Sequence, residues 1–354
     1  MGRWLVAVLM VIAVGTACDS GSSSAWTELS MPAAGARVSA IAAVGGEALV
    51  SGALGGHPGA WVGSDGKRWR AVRLEAHSGY APAAELISVG VGERVVALGQ
   101  AFGGAHSNPR MTIWSGDASA LIEYPQAFEL FGGPHAIAVT AAATMGGTDL
   151  LIGEWDGPGG RYGSAVWLSR DGRTWQRSAE DPALSSGPGE QTGAAGVATG
   201  PPGFVIAGNT LRDGVLTPLA WTSPDGRAWQ RRELPGPTAI ATRAACDTAG
   251  CVTAGQSIAS PHLLCWPDLT APPVPGPAAT RLELSQLFIH DDRILAAARL
   301  DGRAHLLSLH RDCTAWQDIP LPTTADEARL GALPDGRLLL ATTDTGGSRL
   351  WTTR

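Results

Sequence analysis

The side chains in this chain that could do chemistry are a few carboxylates and tyrosines in Gly-rich segments. Glu75 and Tyr80 share one such segment, Glu154 and Tyr162 flank a second, and Glu190 lies in a third. Paired carboxylates at a set separation hydrolyse glycosidic bonds, but sequence spacing does not give that separation. No nucleophile elbow, zinc-protease signature or phosphate-binding loop occurs in a usable context. We therefore expect no catalytic residue, metal or cofactor, and keep a glycosidase as the alternative.

The N-terminus has the pattern of a targeting segment. Arg3 precedes an apolar run over residues 4–14, which is too short to span a bilayer. Gly15-Thr16-Ala17-Cys18 follows, and small residues before a cysteine resemble the lipobox of bacterial lipoproteins. The resemblance implies a signal peptide over 1–17, a lipidated Cys18 and a flexible tether over 18–24. The alternative is an ordinary secretory signal followed by a structural cysteine.

The other four cysteines are predicted to form two disulfides. An even number of cysteines in an exported chain favours disulfides. Cys246 and Cys251 flank a four-residue turn between two strand-like runs, so a hairpin would bring them within bridging distance. Cys265 and Cys313 then pair by elimination. Metal binding is the alternative, but no His or second Cys lies at ligand spacing.

Tryptophan marks an internal repeat. The chain has 13 Trp against 3 Tyr and 5 Phe, an excess that indicates a copied unit. The segments 61–69, 167–175 and 221–229 share the pattern W-x-x-x-D-G-x-x-W. Asp-Gly between two apolar runs predicts a hairpin, because Gly adopts positive φ and the Asp side chain accepts hydrogen bonds within the turn.

These segments resemble the Asp box, or BNR repeat, of sialidase-like propellers, here one residue shorter. In those families the box joins the third and fourth strands of a blade, away from the active face. The resemblance implies that Asp65, Asp171 and Asp225 are structural residues. The two Trp of each copy are expected to stack across the arms of the hairpin.

Weaker copies of the repeat extend the pattern to seven units of four strands. The last unit lacks its second arm, and Ala25-Trp26 at the start of the chain resembles the missing piece, Ala315-Trp316. Four-stranded units repeated radially are typical of β-propellers. We predict one all-β domain over 25–354, a seven-bladed propeller of antiparallel blades whose ring is closed by the N-terminal strand.

The composition limits the partners. Hydrophobic residues make up 44% of the chain, which argues against disorder. The net charge is −6 and no basic stripe occurs, which argues against nucleic acid. Lys67 is the only lysine among many Arg, Ala, Gly and Pro, typical of a GC-rich, actinobacterial-type genome.

Candidate ligand contacts lie in the long loops expected on the top of the propeller, chiefly in blades 2 to 4. Long loops on a rigid scaffold commonly carry function. Trp155 and Tyr162 are expected to form an aromatic platform, and Arg161 to hold an anion. The full candidate set is His77, Tyr80, His106, Asn108, Trp155, Asp156, Arg161, Tyr162, Arg212 and Asp213.

Two functions follow from this set of features. The first is a non-catalytic binding or scaffold module, monomeric and lipid-anchored to the outer face of the cytoplasmic membrane, for a protein or glycan at the cell surface. The alternative is a sialidase-like glycoside hydrolase. The Arg-Ile-Pro motif of sialidases is absent from the sequence.

The lipid anchor makes a direct prediction. Cys18→Ala should move the protein from the membrane fraction to the soluble fraction, because the thioether to diacylglycerol cannot form. Immunoblots of the two fractions measure this, with Cys246→Ala as the cysteine control. Continued membrane retention of the Cys18→Ala variant would rule out the anchor.

Overall fold

The computed structural model describes residues 26–102, 109–157 and 161–353. For Arg161 it describes the backbone but not the side chain. The predicted signal peptide, Cys18, the tether, His106 and Asn108 lie outside these ranges. Seven sheets form seven blades, each built on four antiparallel strands, confirming the predicted all-β propeller. The first strand of each blade packs against the first strand of the next, and blade 7 against blade 1.

Each blade has four strands, numbered one to four from the ring centre outward. The strands of blades 1 and 2 are Ala36–Val44, Glu47–Leu54, His57–Gly63, Arg70–Ala71, and Ala84–Val91, Val95–Ala101, Arg110–Gly116, Ala120–Glu123. The strands of blades 3 and 4 are Ala136–Met145, Thr148–Gly157, Arg161–Ser169, Gln176–Ser178, and Glu190–Gly200, Gly203–Arg212, Val215–Ser223, Gln230–Glu233.

The remaining three blades follow the same order. The strands of blades 5 and 6 are Ala239–Asp247, Gly250–Ser257, His262–Trp266, Val274–Ala278, and Leu282–His290, Arg293–Leu300, Arg303–His310, Gln317–Ile319. Those of blade 7 are Glu327–Ala332, Leu338–Asp344, Gly347–Thr353 and Trp26–Leu29. Two short helices, Ala81–Ala83 and Phe128–Phe131, lie in links between blades.

The ring is closed by strand pairing between the two ends of the chain. Trp26 pairs with Thr353 and Leu29 with Leu350, so the first described strand is the outer strand of the last blade. Across the closure, the Val38 backbone N–H donates to the Ser348 hydroxyl at 2.8 Å. These contacts are consistent with the closure predicted from the repeat.

The core is divided among the interfaces between blades. Within the described ranges, each of the seven buried apolar clusters joins two neighbouring blades. In blade 3, Leu150 and Ile152 pack toward blade 4, whereas Leu151 packs toward blade 2. Side chains alternate between the faces of a strand, so a strand covered on both faces is apolar throughout.

Blade 2 differs from the predicted four-stranded unit. Arg73–Glu75, in the link from blade 1, pairs in parallel with the outer strand Ala120–Glu123 as a fifth strand. The link follows the outer edge of blade 2 before it turns inward, and its backbone pairs with that free edge.

Both predicted disulfides are present. Cys246 and Cys251 face each other across the first hairpin of blade 5, with Cα atoms 4.1 Å apart. Cys265 in blade 5 is bonded to Cys313 in blade 6, with Cα atoms 5.7 Å apart. Cys313 has φ of 65° and occupies the turn position that Gly fills in the Asp-Gly hairpins.

The turn between the third and fourth strands is held by an aspartate. Asp171 Oδ1 accepts the backbone N–H groups of Arg173 and Thr174, both at 2.8 Å. These two bonds lower the pKa of Asp171 to about 2. The same pairs of backbone bonds occur at Asp65, Asp117, Asp225 and Asp268, and Asp312 accepts one backbone N–H.

Blade 7 has no such turn, because its third and fourth strands come from opposite ends of the chain. The expected stacking of the two Trp is not found in blade 3. Trp175 lies at the end of the turn, one residue before the fourth strand. The ring of Trp167 instead contacts the rings of Phe131 and Trp155.

Asp171→Ala should lower the free energy of unfolding by about 1 kcal/mol at pH 7, through lost turn hydrogen bonds. A depressed pKa means that the contribution is present above about pH 4 and is lost as pH falls through about 2. Urea unfolding from pH 7 to pH 2 measures this difference. Glu180→Ala, which removes an exposed carboxylate of the same region, is the control; an equal loss in both variants would contradict the turn role.

The two disulfides should stabilise unequally. Their sequence separations of 48 and 5 residues correspond to about 4 and about 2 kcal/mol from chain entropy. We therefore expect Cys265→Ala/Cys313→Gly to lower the free energy of unfolding more than Cys246→Ala/Cys251→Ala, with Gly suited to the positive φ at 313. Urea unfolding tests the order, and the reverse order would contradict it.

Candidate binding site

The two faces of the propeller carry different connections. The hairpins between the second and third strands and the links between blades lie on one face, which we call the top face. The aspartate turns and the first hairpins of the blades lie on the opposite face, which follows from the alternating strand directions.

Exposed apolar side chains are concentrated on the top face. Phe102 is 69% exposed and Phe128 52% exposed. Within the described ranges, all the exposed large hydrophobic residues lie at the top of blades 2 to 5: Phe102, Phe128, Ile137, Tyr162, Val215 and Ile258. A contiguous run of four blades therefore presents apolar side chains to solvent, the pattern of an interaction surface.

A groove of about 440 Å³ opens on this face between blades 2 and 3, which we call the blade 2–3 groove. Its volume lies in the range of small-ligand and side-chain pockets. Its principal side chains are Tyr80, Arg110, Met111, Phe128, Phe131 and Ile137.

The aromatic wall of the groove is a short helix in the link between blades 2 and 3. Trp167 Nε1 donates to the Leu130 carbonyl at 2.8 Å, and Arg177 donates to the same carbonyl at 3.1 Å. The Phe131 ring lies 5.7 Å from the Trp167 ring. The repeat tryptophan of blade 3 thus fixes the helix that carries Phe128 and Phe131.

Trp155 packs against the core side of this wall. It is only 7% exposed, packs edge-on against Trp167 at 6.2 Å, and is covered by the Arg177 guanidinium 3.6 Å above its ring. The expected platform of Trp155 with Tyr162 does not form. Trp155 packs toward blade 2, whereas Tyr162 pairs with Asp156 and points to the opposite face of the sheet.

Tyr80 reaches the groove from the link between blades 1 and 2. A carboxylate holds that link: Glu123, 1% exposed, accepts the backbone N–H groups of His77 and Ser78 at 2.6 and 2.7 Å. The Ser78 hydroxyl also donates to Glu123, at 2.6 Å. Of the sequence-predicted candidates that lie in the described ranges, Tyr80 is the one that lines the groove.

Sequence reasoning missed Arg110 and Phe128. The Arg110 guanidinium carbon lies 4.5 Å from the centre of the Phe128 ring. Among the described residues that line the groove, Arg110 is the only charged one. The available signal was Phe128-Glu-Leu-Phe131, which places two of the five Phe in one turn of an inter-blade link.

Arg212 and Asp213 lie outside the groove, at the top of blade 4. Arg212 donates to Glu190 at 2.7 Å, and Arg231 donates to the same carboxylate at 2.8 Å. The bond from Arg231 is the main reason that the pKa of Glu190 is well below its usual range. Asp213 adopts φ of 51° in the hairpin turn.

Tyr162 and Glu154 form a second polar pair at the top of blade 3. The phenol donates to Glu154 at 2.8 Å. Burial raises the pKa of Glu154, and burial together with this bond raises the pKa of Tyr162 to about 12. The phenol therefore keeps its proton near neutral pH. In the described part of the chain, no group of three His, Cys, Asp or Glu is arranged to hold a metal ion.

Comparison with known proteins supports the fold. No family model and no curated protein matches the chain. Among solved structures, "YCF48 bound to D1 peptide" matches with a TM-score of 0.54 and 14% identity over 94% of this chain and 96% of that one. YCF48 from Cyanidioschyzon merolae matches with a TM-score of 0.56 and 12% identity over 93% and 99%. The polysaccharide lyase Uly1 matches with a TM-score of 0.57 and 10% identity over 91% of each chain. At these identities the chain shares the propeller fold with binding proteins and with an enzyme.

Proposed function

We propose that this protein is an exported, lipid-anchored propeller that acts as a non-catalytic binding module for a protein or glycan at the cell surface. It takes its partner on the top face of blades 2 to 5. The observation that carries the proposal is that, among the described residues, the exposed large hydrophobic side chains lie on that face, where the blade 2–3 groove also opens.

The location rests on the cysteines and the N-terminal pattern. Two disulfides indicate an oxidising, extracytoplasmic compartment. No helix in the described ranges is long and apolar enough to cross a membrane. The lipobox-like residues before Cys18 supply the proposed anchor, on the outer face of the cytoplasmic membrane. We propose a monomer, because the ring closes on itself.

The hydrolase alternative has less support. Tyr162 donates to Glu154, as a tyrosine nucleophile does to its base, so this pair does not count against hydrolysis. Arg212 and Arg231, however, each pair with Glu190, which leaves fewer of their N–H groups for a substrate carboxylate. A peptide-bound propeller among the structural neighbours supports binding as a use of this fold.

Ile137→Asp should weaken ligand binding by at least about tenfold, because it puts a charge into the apolar surface. The full chain, purified in detergent, is screened against displayed peptides and a glycan array, and the affinities of its ligands are then compared between variants. Thr248→Asp, an exposed position on the opposite face, is the matched control. Thermal melting checks folding, and equal binding by both variants would contradict the proposed face.

A further inference from the structure

We infer that the blade 2–3 groove binds an extended protein segment in which a carboxylate lies within a few residues of a bulky apolar side chain. The inference rests on the proposed binding function and names the chemistry of the partner. Three features of the groove carry it: its apolar interior, its unmatched cation and its small number of available polar groups.

The interior of the groove is apolar and backed by rigid core. Met111 and Phe131 pack against the buried cluster that contains Trp155 and Trp167. Val139, on the first strand of blade 3, lies on the same surface. A volume of about 440 Å³ admits a large side chain together with part of the adjoining backbone. The interior therefore favours an aromatic or large aliphatic side chain, whose transfer from water drives binding.

The rim carries one unmatched charge. The Arg110 guanidinium carbon lies over the Phe128 ring, 4.5 Å from its centre, and within the described residues none of the guanidinium N–H groups donates a hydrogen bond. No Asp or Glu is among the described residues that line the groove, and Arg110 has no ion-pair partner within the described ranges. A guanidinium edge matches a carboxylate by two parallel hydrogen bonds. An unpaired cation beside an apolar cleft therefore matches a ligand in which an acidic group lies next to an apolar group.

A protein segment fits the groove better than a glycan. A sugar brings many hydroxyl groups, and each one that is buried without a partner costs free energy. Among the described lining residues, four have polar side chains: Tyr80, Gln100, Arg110 and Gln126. The Gln126 amide nitrogen is already used, since it donates to the Tyr124 and Arg173 carbonyls at 2.8 and 2.7 Å. The Arg110 guanidinium also covers one face of Phe128, a ring on which a sugar could stack.

Selection from a random-peptide phage library on the immobilised full chain tests the inference. We expect wild type to enrich peptides that carry Asp or Glu within three positions of an aromatic or large aliphatic residue, on either side. Arg110→Gln should lose the acidic preference, and Arg110→Glu should replace it with Lys or Arg. Arg170→Glu reverses an exposed arginine on the opposite face and should select as wild type does. Changing the acidic residue of a selected peptide to its amide should weaken binding about tenfold at low salt, and less at high salt.

The outcomes separate this inference from the proposed function. Apolar peptides without acidic enrichment, or the same selection by Arg110→Glu, would overturn the inference and leave the binding function standing. Binding on a glycan array with no enriched peptide would overturn it in favour of a glycan. No ligand in either screen, with melting temperatures unchanged, would overturn the binding function itself.

Discussion

Closure of the ring is the constraint on which the rest of this structure depends. Each blade is apolar on both faces, so it is stable only when a neighbour covers each face. The last interface exists because Trp26–Leu29 pairs with Gly347–Thr353 and thereby completes blade 7. Near the ring centre, side chains of the first strands also join neighbours: Arg243 donates to the Ser285 carbonyl at 2.9 Å, linking blades 5 and 6.

In the closed ring, the residues that hold the turns and links are distinct from the residues that can differ between blades. On one face, aspartate carboxylates hold short turns by accepting backbone N–H groups of the residues that follow them, as Asp171 does from Arg173 and Thr174. On the top face, repeat tryptophans hold the inter-blade links: Trp167, Trp221 and Trp266 donate to the carbonyls of Leu130, Ala183 and Pro235. A copied residue therefore fixes the base of each of these three links, while the rest of the link can differ between blades. The groove is built where one such link carries aromatic side chains.

The fold could be predicted from the sequence because its blades repeat. The groove could not be predicted, because the residues that form it are not part of the repeat. A local sequence pattern marks each of the predicted features: the Asp-Gly turns, the hairpin disulfide Cys246–Cys251 and the outer strand of blade 7 near the start of the chain. Trp155 is expected from the sequence to form an exposed aromatic platform, but strand alternation turns it into the core beneath the groove. Arg110 and Phe128 belong to different segments, and only tertiary packing brings them to 4.5 Å.

Polar groups described at the top face differ in whether they already have partners. The groups there with shifted pKa values are paired with one another: Glu190 with Arg212 and Arg231, and Glu154 with Tyr162. Such pairs hold adjacent strands together. The groove combines an unmatched guanidinium with exposed apolar surface, and both gain free energy only when a partner covers them.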